Sequence, residues 1–166
     1  MALFGSSRDI SVFRHLNKEL INDIISQEVD YYQLSLNNTT SNVYGESPDG
    51  KTYYSPVRFA CLIVRNDQTW NVDDQLGSDV NQITQFGFFR DILVDLDLIP
   101  KVGDIINWNG NYWEVDSLVE NQLFAGKNPD HNKNVTPEWG SSISIQCNTH
   151  YARITRLQIE KGRSEL

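Results

Sequence analysis

The stretch Ile99-Pro100-Lys101-Val102-Gly103-Asp104-Ile105-Ile106-Asn107-Trp108-Asn109-Gly110-Asn111-Tyr112-Trp113-Glu114-Val115 decides the fold class. Pro100 to Asp104 is rich in turn-formers. Ile105 to Trp108 reads as a short strand of β-branched and aromatic residues. Asn109-Gly110-Asn111 predicts a tight hairpin connection, because Asn-Gly adopts positive φ at little cost. Tyr112 to Val119 predicts the return strand, and Gln122 to Phe124 its continuation. Trp108 and Trp113 bracket the hairpin, and one of them is expected to enter the core.

Outward from this hairpin the same grammar recurs. Residues 29–36 read as a strand. Residues 53–64 read as another, with Val57, Phe59, Cys61 and Ile63 on one face and Pro56 marking a start or an edge. Residues 82–89 suit a strand with Gly87 as a possible bulge. Residues 90–98 suit a short helix. Residues 143–159 suit a final strand region, broken or bent. Between these lie an extended arm over 37–55 and long loops over 66–81 and 124–142.

Residues 8–27 carry the clear helical signal. Ile10, Phe13, Leu16, Leu20, Ile21, Ile24 and Ile25 recur at steps of three and four, while Arg14, Asn17, Lys18, Asn22 and Asp23 lie on other faces. Such a stripe must be laid on something, either the chain's own sheet or a partner. The expectation is a mainly β fold. It is one domain over 1–166, a small antiparallel β-barrel or sandwich with an N-terminal amphipathic helix, a short internal helix and long loops and arms.

Composition narrows the function. The chain has 166 residues, enough to bury a core without disulfide staples, and no apolar run long enough to span a membrane. Residues 1–9 lack a basic stretch followed by an apolar one, so no signal peptide is expected. The 22 acidic residues outnumber the 14 basic ones for a net charge of −8, which disfavours a phosphate-tracking surface. The imbalance is local. Seven Asp face one base, Arg90, across 66–100, whereas Arg153, Arg156, Lys161 and Arg163 stand against Glu160 and Glu165 in the tail. The bland reading is a solvated acidic face and a basic tail. The sharper one gives the two faces different neighbours.

Catalytic and metal motifs are not evident. Cys61 and Cys147 form no CxxC, and His15, His131 and His150 are scattered, which argues against zinc. The thiols are expected to be reduced and buried, as suits assembly in a cytoplasm. A disulfide would require neighbouring strands. There is no phosphate-binding Gly-rich loop and no GxSxG elbow. Asp73-Asp74 reads as a solvated pair, because adjacent side chains diverge on extended backbone. No catalytic residue, cofactor or metal is expected, although carboxylates that converge only in space would escape this reading. Trp70 and Trp139 fall in the expected loops, where tryptophan either folds back on its domain or anchors an interface.

Two stretches resemble a family. Asn42-Val43-Tyr44-Gly45-Glu46-Ser47 and the strand after it are similar to a pattern in virion structural proteins of contractile-tailed phages. Residues 99–115, with Asn121-Gln122-Leu123-Phe124-Ala125-Gly126-Lys127 beyond and 82–95 before, resemble the hairpin of phage neck proteins. The hairpin element, with Gly103, Asp104, Trp108, Gly110, Tyr112 and Trp113, is shared by many small barrels; the ordered combination is more specific. The resemblance covers roughly 42–60 and 82–130.

It implies a non-enzymatic head-closure subunit, assembled in the host cytoplasm. Six copies would form a ring between the portal-bound adaptor and the tail, sealing packaged DNA that passes without specific binding. Tyr44, Tyr53, Trp70, Trp139, Arg153 and Arg156 would then lie at subunit contacts, and Asp67, Asp73, Asp74 and Asp79 would face the channel. If so, Lys at 73 and 74 should impair DNA passage or retention. Another tail component, such as a tail terminator or baseplate subunit, is the alternative. A small single-stranded nucleic-acid-binding barrel or hydrolase sharing the hairpin is the second.

Overall fold

The computed structural model describes residues 7–39, 50–65, 69–73, 77–120, 143–152 and 157–158. A helix α1 (Ser7–Glu19) runs into a π-helical turn (Leu20–Ile25), then β1 (Glu28–Tyr32), β2 (Lys51–Thr52), β3 (Val57–Ala60) and β4 (Leu62–Arg65). There follow β5 (Thr69–Asp73), β6 (Gly77–Asn81), β7 (Ile83–Phe89), α2 (Arg90–Asp95), β8 (Ile105–Trp108), β9 (Asn111–Val119), β10 (Ser144–Ala152) and β11 (Leu157–Gln158). The mainly β, antiparallel expectation holds.

The main sheet has seven strands in the order β3-β1-β8-β9-β10-β7-β4. All its pairings are antiparallel. Its two edges, β3 and β4, are consecutive in the chain and separated by Cys61. One bent segment therefore supplies both edges. The Cys61 amide turns aside at the bend to donate to the Gln27 carbonyl at 2.9 Å. The sheet curls so that Phe59 of β3 meets Phe88 of β7, ring centroids 5.0 Å apart. It is not closed into a barrel, because no hydrogen-bonded ladder joins β3 to β4.

Alternation along each strand builds the core. Phe86 and Phe88 of β7, Trp113 and Val115 of β9, Ile145 and Cys147 of β10, and Tyr31 of β1 point inward and are buried. Trp113 is the tryptophan that enters the core; Trp108 packs partly buried at its edge, and both rings stand edge-on to Phe86. The opposite face carries a smaller cluster of Tyr32, Ile105, Tyr112 and Ala152, with Tyr53 packed against it. Fully burying one such large side chain is worth about 1.5–3 kcal/mol, so the sheet is stabilised from both sides.

Several expectations are corrected. Residues 69–81 are not loop throughout: β5 and β6 form an antiparallel hairpin, Trp70 opposite Val80 and Asn71 opposite Asp79. Gly87 is no bulge, since it pairs in register with both Gln146 and Leu62. The register shift lies between β9 and β10, at Asn148/Thr149. The strand expected over 53–64 starts at Val57 and breaks at Cys61, where its pairing partner changes from β1 to β7. Part of the 37–55 arm is ordered by pairing: Lys51–Thr52 runs parallel to β11, and Tyr53 bridges Leu34. The thiols of Cys61 and Cys147 are free and buried. Cys61 sits at the bend between β3 and β4 and Cys147 in β10, and β7 lies between β4 and β10, so they are not ladder neighbours.

Candidate functional site

The N-terminal helix is turned the opposite way from a core-facing helix. Arg14 and Lys18, one turn apart, face Asp91 and Asp95, one turn apart on α2. The ion pairs measure 3.5 Å for Arg14–Asp91 and 2.7 Å for Lys18–Asp95. Matched i, i+4 spacings on two helices zip them together through charge. The hydrogen bond to Asp95 holds the Lys18 ammonium above its ordinary pKa. One apolar residue of the π turn, Ile21, packs against the main core.

Because the polar face is turned inward, most of the apolar stripe is turned out, Ile21 excepted. Phe13, Leu16, Leu20 and Ile24 are 41%, 56%, 43% and 72% exposed. Val12 and Ile25 flank them, also exposed. Beyond Glu19 the helix widens into the π turn and stops at Ser26, which takes φ +46° and donates its N–H to the Ile21 carbonyl at 2.9 Å. The two ion pairs are partly solvent-exposed, so each is worth about 0.2–1 kcal/mol. Among the described residues, these two pairs and Ile21 tie the helix to the sheet and α2, while Leu16 and Ile24 stay more than half exposed.

The hairpin residues fall where the sequence puts them. Asn109 (φ +52°) and Gly110 (φ +76°) make the two-residue turn, with Trp108 opposite Asn111. Gly103 has φ +91° in the preceding turn. Asp104 is buried. Its Oδ2 accepts from the Tyr31 hydroxyl at 2.6 Å and the Lys101 amide at 2.8 Å, and its Oδ1 accepts from the Leu34 amide at 2.8 Å. Burial nevertheless raises its pKa, opposing those hydrogen bonds. With both oxygens engaged by the chain itself, this carboxylate ties the 101–104 turn to β1. A cleft of about 230 Å³ lies beside it, with Leu36 and Tyr54 exposed at its rim.

Tyr53 packs against the chain's own second cluster, and burial raises its pKa. The backbone places Asp73 and Asp79 in the β5–β6 hairpin, and Trp70 in β5. Asp67, Asp74, Tyr44, Trp139, Arg153 and Arg156 lie outside the described residues. His150 Nδ1 sits 2.7 Å from Asp116 Oδ1 on exposed positions of β10 and β9. Among the described residues no group of three His, Cys, Asp or Glu side chains is placed to hold a metal ion.

No family model matches the chain, and no curated protein does. The structural features therefore stand by themselves. Sequence reading left open where the helical stripe points. The signal that settles it was present: two basic residues four apart on the helix and two acidic residues four apart on α2, which can meet only if the stripe faces away.

Proposed function

We propose that this chain is a virion structural protein, a ring-forming head-closure subunit in the neck of a contractile-tailed phage. The observation that carries the reading is the outward apolar ridge of α1 and the π turn. A monomeric soluble domain rarely exposes a contiguous apolar patch of this kind unless another surface completes it. A ring subunit has such a need at every copy, because cyclic assembly uses heterologous contacts. The net charge of −8 suits a DNA channel, since counterion release would make a basic lumen adhesive. The likeness of residues 99–115 to the neck-protein hairpin supports that location, and the exposed apolar residues of the helix support a docking role for it. The subunit would work by shape, without breaking a covalent bond.

The test is a reconstruction of the virion with this chain traced. Density for a closed ring of the chain between portal and tail is the expected result. Finding it in the baseplate, at the tail terminus or outside the particle overturns the reading, as does turnover of a substrate by the purified protein.

A further inference from the structure

The cleft beside Asp104 is built from segments far apart in the sequence. Residues of 33–37 and 101–104 form its walls, with Tyr54 at the rim. These walls are fastened to one another. Leu34 bridges Tyr53, the Ser35 amide donates to the Thr52 carbonyl, and the Tyr54 amide donates to the Gln33 carbonyl, both at 2.9 Å. Thr39 closes the turn after Ser35: its amide and its hydroxyl both donate to the Ser35 carbonyl, at 3.1 and 2.7 Å. Gln33 Nε2 donates to the Ile99 carbonyl at 3.3 Å, and the Leu34 amide donates to Asp104. A ligand would find the walls already in place, with little ordering left to do.

The lining sets polar groups beside apolar surface. Lys101 is exposed and joins no ion pair among the described residues. The exposed Asn37 amide offers donors and an acceptor. Gln33 has its amide oxygen to offer as an acceptor. Of the about four acceptor positions on a carboxylate, the chain fills three at Asp104, and Oδ1 keeps one. Leu36 and Tyr54, 73% and 50% exposed, supply an aliphatic and an aromatic surface. One positive and one negative side chain balance, so charge favours neither an anion nor a cation. The volume of about 230 Å³ falls below the roughly 300–1,000 Å³ of drug-sized sites, which suits a single small ring.

We infer that this cleft binds a neutral sugar ring. A pyranose carries hydroxyls in close pairs around its edge and C–H groups on its faces. The edge matches Lys101, Asn37, Gln33 and the spare Asp104 acceptor. The C–H face matches the half-exposed Tyr54 ring, which is apolar across its body and polar at its tip. The inference is independent of the ring reading, because the cleft shares no residue with the helix face on which that reading rests.

The experiment titrates the full, isotope-labelled chain with methyl α-glucopyranoside, methyl β-galactopyranoside and N-acetylglucosamine. Inorganic phosphate and leucine serve as the charged and zwitterionic comparisons. Backbone amide shifts are read by NMR. At least one sugar should move the amides of 33–37, Tyr54 and 101–104, with a dissociation constant of about 1–10 mM. Neither comparison should do so. Tyr54→Ala should keep the wild-type melting temperature and weaken that sugar about tenfold. Lys101→Met, at an exposed position, should weaken it by a smaller factor and also melt normally. Silence toward all three sugars overturns the inference, and so do shifts confined to other parts of the sheet. A response to phosphate or leucine without a sugar response overturns it in favour of a charged ligand. Sugar binding that survives both substitutions unchanged places the sugar elsewhere and overturns it as well.

Discussion

Tyr31 and Asp104 meet inside the protein, hydroxyl to carboxylate, at 2.6 Å. One belongs to β1 and the other ends the turn before β8, and their strands are neighbours in the sheet. The bond locks the entry of the central hairpin onto the strand beside it. Tyr31→Phe should remove one donor and cost about 1–2 kcal/mol. Asp104→Ala should cost more, about 3 kcal/mol, because the Leu34 and Lys101 amides lose their acceptor as well. Urea unfolding checks both, the midpoint falling with the slope unchanged.

The buried thiols give a pH prediction. Burial pushes Cys61 from an ordinary 9.0 up to about 12, and pushes Cys147 up as well. A raised pKa means stability that is intact below the ordinary value and lost as pH climbs through the raised one. Folding stability from Cys61 should therefore be level up to pH 9 and fall between there and about 12. At pH 8 neither thiol should react with a thiol reagent in the folded chain, and both should react in denaturant.

Two glycines should respond oppositely to alanine. Gly110 has φ +76° and open space around it, so Gly110→Ala meets no clash but must hold a left-handed backbone. The cost should be about 1–2 kcal/mol. Gly87 has no such φ, and a new Cβ there just reaches contact with Leu62. Gly87→Ala should be neutral or stabilising by about 0.5 kcal/mol, through the unfolded chain. Thermal melts of the two variants separate the effects.

The charge zip between the N-terminal helix and α2 should matter locally. Arg14→Ala with Lys18→Ala should change global stability by less than about 1–2 kcal/mol, since exposed pairs contribute little each. Amide exchange in α1 should nevertheless speed up while exchange in β9 and β10 stays the same. An equal acceleration everywhere would show that the zip holds the whole fold.

How much was legible follows from the range over which each signal acts. The hairpin at 105–119 was readable because strand, Asn-Gly turn and return strand are contiguous, and their φ requirements are local. The short helix at 90–95 was readable for the same reason. The β5–β6 hairpin was missed because its sequence is polar and acidic, lacking the apolar alternation that usually marks strands. Gly87 looked like a bulge, but bulges depend on the partner strand, and the shift falls at Asn148/Thr149 instead. The helix period was plain, yet its direction was not. That depended on Asp91 and Asp95, more than seventy residues away. The latch on Asp104 and the bend at Cys61 are likewise agreements between distant segments.

The bend at Cys61 has a mechanical consequence. A sheet with two independent margins can be unzipped from either one, a strand at a time. Here a tug anywhere on 57–65 loads the ladder to β1 and the ladder to β7 together, since a single covalent thread stitches both. Rupture under tension should therefore come as one high-force event, with no partial peeling before it.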